Sequence, residues 1–300
     1  MTIKIVTDST SDISPELAQD MGITVVPVYV RFGTKVYRDG VDINHDEFYH
    51  KLVTDPAHPS TSQPAPTEFA DVYNKLSQEA DGIVSIHVSS RLSGTCNSAI
   101  QGRGLAKRGC PIRVVDSLSL SMGLGLTVIA AARSAYSGGD LRAVMDEVEQ
   151  TMGCIRVLGL LDTLKYLLQG GRIGKAKAFL GTLLNVKPML TLRDGELVPA
   201  GLARTRTKGI ERLYDFAKSA SDVQEMAIVH STTPDEASLL SDTISSIFPV
   251  ERIHIARLGP ALGAHGGPGT VIVALRDKVS SITQYAGEGD FSRDAFSSQV

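Results

Sequence analysis

Apolar positions in the first half of the chain fall into short β-branched runs separated by stretches of helical spacing. Ile3 to Thr7, Ile23 to Val30, Gly82 to Val88 and Ile112 to Val115 have the composition of buried strands. Between them, Phe69, Val72, Tyr73 and Leu76 recur at the helical period, as do Leu141, Val144, Met145 and Val148, and an apolar helix is predicted through Ala135. The punctuation agrees with this. Ser14-Pro15-Glu16 opens a helix that Gly22 closes, Asn44 with Glu47 caps a short helix carrying Phe48 and Leu52, and Thr67 and Asp140 read as further caps. Strands alternating with helices predict a parallel α/β domain over residues 1–152, closed near Gly153. Pro56 to Pro66 interrupts the alternation. It reads as a loop rather than a regular element, kept in order by the packed helix after it.

The second half has a different pattern. Asp194-Gly195 between Met189–Leu192 and Leu197-Val198 is a hairpin signal, which a purely parallel sheet does not use. Residues 153–285 are therefore predicted to form an α+β domain with antiparallel pairing. Its helices fall at Lys208 to Lys218 and Pro234 to Ile247, and its strands at Met226 to Val229, Ile253 to Ile255 and Thr270 to Leu275. Between the last two strands, five glycines surround His265 in the segment 259–269. Such backbone freedom suits a loop that brings a side chain close to a ligand, and equally a tight connection whose histidine is incidental. Residues 286–300 read as a disordered or lineage-specific tail.

Composition narrows the partners. At 300 residues and 42% hydrophobic content the chain can bury two cores. A net charge of −3 gives no basic field for nucleic acid, basic residues clustering only locally at Arg204 to Arg212. No run approaches the ~18 apolar residues of a membrane span, and the N-terminus turns polar too early for a signal peptide, so neither stable membrane insertion nor export is expected and the location expected is cytoplasmic. Cys96, Cys110 and Cys154 lack any paired spacing and read as buried, reduced thiols. His45 and His50 lie five apart where two helical metal ligands want four, so they read as a solvated face and no metal is expected. Nucleotide fingerprints are absent: no strand is followed by G-x-G-x-x-G, and Gly170 to Lys175 fails as a P-loop because Gln169 replaces the first glycine and Ala176 follows the lysine. Asp8-Ser9-Thr10 has the outline of a phosphatase start, but Thr10 stands where the second carboxylate belongs.

The most informative chemistry lies between Gly82 and Arg108, where an apolar strand passes through Ser89–Thr95 into a helix starting near Ser93 to Thr95. In an open α/β sheet, ligands gather at the carboxyl ends of strands, and the first N–H groups of the next helix attract an anion. Ser93 sits at such a mouth, although Ser93 or Thr95 also fits a plain helix cap.

Six blocks, in order, resemble the DegV family over nearly the whole chain: Thr7-Asp8-Ser9-Thr10-Ser11-Asp12, Ser60-Thr61-Ser62-Gln63-Pro64, Leu92-Ser93-Gly94-Thr95, Gly170-Gly171-Arg172-Ile173, Asn185-Val186-Lys187-Pro188, and Gly263-Ala264-His265 running on to Gly269. Ala65, where serine is usual, is a mild departure. The resemblance implies a two-domain protein that holds one long-chain fatty acid in an apolar tunnel between the domains and presents it to a separate fatty acid kinase. It implies carboxylate contacts from Thr61 and Ser93, with His265 nearby; a backbone N–H near Gly94 is a further candidate donor. No cofactor and no catalysis by the chain itself are implied. Burying roughly fourteen methylenes at about 0.8 kcal/mol each is worth on the order of 11 kcal/mol before ordering costs. The apolar residues of 158–168 and 179–190 are candidates for the tunnel wall, and equally for plain core. Arg172 and Arg204 are candidates for kinase docking, since arginines are favoured at interfaces, while Arg206 fits plain solvated charge at least as well. Two rival readings use the same residues: a serine esterase or thioesterase with Ser93 as nucleophile and His265 as base, and a carrier of another amphiphile. The first lacks a G-x-S-x-G elbow and an evident acidic partner.

Overall fold

The computed structural model describes residues 1–107, 109–179, 186–220 and 222–278. In chain order these form β1 (Ile3–Asp8), α1 (Pro15–Asp20), β2 (Ile23–Val26), β3 (Tyr29–Phe32), β4 (Lys35–Arg38), α2 (His45–Thr54), β5 (Ser60–Ser62), α3 (Pro66–Leu76), β6 (Gly82–His87), α4 (Thr95–Leu105), β7 (Ile112–Asp116), α5 (Ser121–Tyr136) and α6 (Leu141–Cys154). There follow β8 (Ile155–Leu160), α7 (Lys165–Gln169), β9 (Lys187–Arg193), β10 (Glu196–Ala203), α8 (Arg206–Ser219), β11 (Val223–His230), α9 (Pro234–Ser245), β12 (Ile253–Arg257), α10 (Pro260–Gly266) and β13 (Val271–Asp277). The tail from Ala286, and Asn185, lie outside the described residues.

The molecule is mixed α/β. A four-stranded sheet of order β2-β1-β6-β7 is parallel throughout and is built from residues before 117. A six-stranded sheet of order β10-β9-β8-β13-β11-β12 begins at residue 155 and is antiparallel apart from the parallel pair β11-β12. The Asp194-Gly195 turn joins β9 to β10 with φ of 51° and 77°, the left-handed values a two-residue hairpin requires. Between the sheets lies α5, buried along Ser121–Ala132 and packed on β1 of one sheet and β8, β11 and β13 of the other. A helix apolar all round is the form this position demands. One core cluster therefore runs from Ile5 and Ile86 through Leu124 and Val128 to Val157 and Ile272.

Several local expectations change. The run Ile23 to Val30 is two strands: Pro27 has no N–H for the ladder, so β2 ends at Val26, and β3 turns away into a third, antiparallel sheet of order β4-β3-β5. The Pro56–Pro66 segment is not wholly irregular, since β5 forms within it against β3. α3 starts one residue before Thr67, with Pro66 in its first turn and Ala65 at the cap, whose N–H donates to Glu68 Oε2 at 2.6 Å. The glycine-rich segment after β12 is not a loop but contains α10, with His265 in its last turn. Cys96 and Cys154 are buried, whereas Cys110 is only half-buried. His50 is exposed and His45 half-buried.

Candidate functional site

A cavity enclosing about 610 Å³ of empty space, its open mouth included, lies where both halves of the chain meet. Its polar lining includes Thr61, Gln63, Ser93, Arg172 and His265, with Thr10 and Ser62 beside them. It adjoins a second compartment of about 560 Å³ that shares Leu120, Leu167, Leu197, Leu262 and His265 with it and is otherwise walled mainly by apolar groups, among them Val157, Gly159, Leu161, Leu190 and Ile272. Of the proposed wall residues, Gly159, Leu161, Leu167 and Leu190 face this space, while Leu160 packs into the separate core under α8 and α9. The alternation of a strand explains the split, because successive side chains of β8 point to opposite faces. Residues 180–185 of the second candidate wall lie outside the described residues.

Ser93 stands in the turn between β6 and α4, where Ser93 N donates to Ser89 O at 3.1 Å. The far half of the molecule steadies this turn: buried Ser89 Oγ donates to Gly195 O at 2.8 Å, so the β9–β10 hairpin tip docks on it. Arg172 is exposed at the mouth, its guanidinium bonded to Gly170 O at 2.9 Å and to Leu92 O at 3.5 Å. Gly94 is the α4 cap residue; Ser93 Oγ accepts the Thr95 N–H at 3.3 Å and lies 2.8 Å from Thr95 Oγ1. Ser93 therefore lines the cavity and accepts the first N–H of α4, while the cap position itself falls to Gly94 rather than to Ser93 or Thr95.

Thr61 lies on β5, level with Val30 of β3, and its Oγ1 is 2.9 Å from His265 Nε2. Burial, with the Arg172 guanidinium and His58 as further causes, lowers His265 to about 4, so the ring is neutral at neutral pH. Its Nδ1 is buried without a hydrogen-bond partner among the described residues and is pressed against Gly170, where a Cβ would come within 2.1 Å of it. The hydrolase arrangement is not assembled here: the hydrogen bonds recorded are Ser93 to Thr95 and His265 to Thr61, and no carboxylate bonds His265 among the described residues. A serine, histidine and aspartate do line up elsewhere, with Ser85 Oγ 2.7 Å from His87 Nε2 and His87 Nδ1 3.0 Å from Asp8 Oδ2. All three are fully buried and Tyr73 donates to Ser85 Oγ, so this row ties β1, β6 and α3 together rather than meeting a substrate.

α10 carries Leu262 and His265 into the cavity and is clamped at both ends. Its first N–H groups meet carboxylates from the opposite half, Gly259 N donating to Asp12 Oδ1 at 2.9 Å and Ala261 N to Asp39 Oδ2 at 3.4 Å. At the other end the Arg206 guanidinium bonds Glu236, Asp162 and the Gly269 carbonyl, so Arg206 is an internal pin and not solvated charge. Arg204 is exposed and is not among the residues lining the cavity. Sequence reasoning did not find Gln63, Leu120, Leu197 and Leu262 as wall residues, nor the Asp12 and Asp39 clamp; each depends on contacts between distant segments that no local pattern marks. Among the described residues no helix is long and apolar enough to cross a membrane, and no cluster of His, Cys, Asp or Glu is placed to hold a metal.

Comparison with known proteins gives a consistent picture. The family model described as "Uncharacterised protein, DegV family" matches residues 2–278. A DegV domain-containing protein of Caldanaerobacter subterraneus is 34% identical over 279 residues, covering 92% of this chain and 99% of the relative. Protein DegV of Bacillus subtilis is 30% identical over 275 residues, covering 90% and 98%. Among solved structures, a DegV family protein from Thermus thermophilus, described for its fatty acid binding, superposes with a TM-score of 0.84 at 37% identity, covering 92% of this chain and all of that one (100%). A stearic acid-binding protein from Eubacterium ventriosum superposes with a TM-score of 0.81 at 26% identity, covering 91% and 98%.

Proposed function

The chain belongs to the DegV family, and on that premise we propose that it binds one long-chain fatty acid and presents it to a partner fatty acid kinase. The supporting observation is the cavity itself, with hydroxyls, an amide, an imidazole and a guanidinium in one compartment and a mainly apolar wall in the next. That combination suits an amphiphile with an anionic head. In this reading Thr61, Ser93 and the Gly94 N–H hold the carboxylate, because a carboxylate leaving water must be hydrogen-bonded. His265 acts through Thr61. An unpaired buried acceptor costs less than an unpaired donor, which favours the tautomer with its proton on Nε2, donating to Thr61 Oγ1 and leaving the Thr61 O–H free for the ligand. The acyl chain runs between the halves 1–152 and 153–285. The chain needs no metal or cofactor of its own and turns over nothing alone; ATP and its metal come with the kinase, in the cytoplasm, and Arg172 and Arg204 are the proposed docking arginines.

Protein purified without added lipid is expected to carry about one fatty acid per chain, read by denaturing extraction and mass spectrometry. Recovery of a different amphiphile would favour the alternative carrier, and an empty preparation that also ignores added palmitate and oleate would refute lipid binding. Ser93→Ala and Thr61→Ala are each expected to weaken fatty acid binding about ten-fold, since each removes a donor to a charged group. His265→Ala should weaken it less, having lost only the orientation of Thr61. The kinase step is tested by mixing loaded protein with a fatty acid kinase of the same genome and ATP. Acyl phosphate is expected only with both proteins present, and less of it with Arg172→Ala or Arg204→Ala. Cleavage of a nitrophenyl ester by the chain alone, lost in Ser93→Ala, would establish the hydrolase instead.

A further inference from the structure

Gln63 follows β5 directly, and Pro64 and Pro66 restrict the backbone after it. Gln63 is exposed at the mouth, its side chain lines the cavity beside Thr61 and Ser93, and its amide bonds no other side chain or backbone group among the described residues, so it is free to meet a ligand. That amide lies flat against Gly94. A methyl group at Gly94 would stand 2.8 Å from Gln63 Nε2, 2.9 Å from Cδ and 3.0 Å from Oε1, the three nearest atoms to that position. Gly94 has φ −77° and ψ 2°, which any residue can adopt, so glycine is not required there for the backbone. What it provides is room for the amide.

Thr61 and Ser93 leave a need that such an amide fills. Each hydroxyl has a single O–H to give, with Thr61 Oγ1 2.9 Å from His265 Nε2 and Ser93 Oγ 2.8 Å from Thr95 Oγ1, while an ionised carboxylate offers about four lone-pair sites. A neutral amide donor adds capacity without the charge repulsion an acidic side chain would bring. We propose that Gln63 is a further head-group residue, its Nε2–H donating to the bound carboxylate, and that Gly94 is glycine in order to seat that amide over the site. The proposal rests on the fatty acid reading above and extends it from the named hydroxyls to a residue pair.

The test measures dissociation constants of the parent, Gln63→Leu, Gly94→Ala and the double variant for a fatty acid and for its methyl ester of equal chain length, with thermal unfolding as a folding check. Gln63→Leu is expected to bind the acid about ten-fold more weakly while holding the ester as the parent does. Gly94→Ala should reproduce that loss by displacing the amide, and the double variant should lose no more than either single one. Gln63→Glu, which sets a charge against the ligand, should discriminate against the acid further still. Parent-like acid affinity in Gln63→Leu, or an equal loss for acid and ester, would overturn the role of Gln63. Additive losses in the double variant would overturn the seating role of Gly94. A parent that bound neither compound would defeat the fatty acid reading first, and this proposal with it.

Discussion

Replacing Gly267 with alanine is expected to lower the thermal unfolding midpoint by roughly 10 °C. Gly267 closes α10 at φ 77° and ψ 177°, a region essentially restricted to glycine, and a side chain held there costs about 1–3 kcal/mol. The added Cβ would also stand 2.2 Å from Tyr166 Cδ2. Tyr166 Cε2 and Cγ would lie 2.6 and 2.7 Å away, so the half-buried ring must shift as a whole and not only at its tip, at about 1–3 kcal/mol more. The two effects together come to about 4 kcal/mol, and a protein of this size loses roughly 2–4 °C per kcal/mol. Fatty acid binding should weaken as well, because α10 carries Leu262 and His265 into the cavity. Gly33 is the control: its φ is 58°, but nothing lies within 4 Å of an added Cβ, so Gly33→Ala should cost only about 1 kcal/mol. Circular dichroism melts of the two variants check this, and equal midpoints would show that the contact with Tyr166 is not what matters.

Stability is expected to fall by on the order of 2 kcal/mol between pH 7 and pH 9. Burial, reinforced by the neighbouring Asp39 and Asp8 charges, raises Asp12 to about 8 despite its bonds from Ser121 and Gly259. Burial likewise raises Asp39 to about 7, against bonds from Ser9 and Ala261 and with Asp8 adding to the rise. In the folded chain both groups keep protons that the unfolded chain releases near pH 4, so the stability they contribute is present at low pH and lost as pH rises through 7 and 8. Buried His230 and half-buried His45, His58 and His265 have lowered values and act in the opposite sense. Their contribution is complete above the ordinary histidine range and does not change between pH 7 and 9. Asp12→Asn keeps an acceptor for Gly259 N–H and removes the larger of the two titrations, so it should shrink the fall to the smaller part that Asp39 contributes. Urea midpoints at the two pH values decide the matter, and a parent as stable at pH 9 as at pH 7 would refute it.

How much was legible beforehand depended on whether the cause was local. Pro15 and Ser14 start α1, and Ser14 Oγ accepts from Leu17 N at 3.2 Å. Asn44 accepts from Glu47 N at 2.9 Å, and Asp140 from Ala143 N at 2.8 Å, as their spacing requires. The proline-rich stretch holds a strand for a tertiary reason. β5 is a strand only because β3 offers it an edge. Proline at 27 marked a break in the sequence, yet the apolar run around it looked continuous. The glycines of 259–269 suggested a loop, but three of them serve close packing: Gly263 against Phe48 and Tyr49, Gly267 against Tyr166, and Gly269 against Asp162.

The sequence by itself determined the alternation of strands and helices, the change of sheet type near Gly153, the Asp194-Gly195 hairpin and the residues at which the chemistry would be sought. Periodicity, capping and turn preference act over a few residues, and so they are written in order along the chain. Only the tertiary structure decided that Thr61 meets His265 across 204 positions, that Ser89 is held by Gly195, and that Asp12 and Asp39 clamp the helix carrying His265. It also decided which apolar residues are wall and which are core, since both are equally hydrophobic and differ only in whether another side chain fills the space beside them.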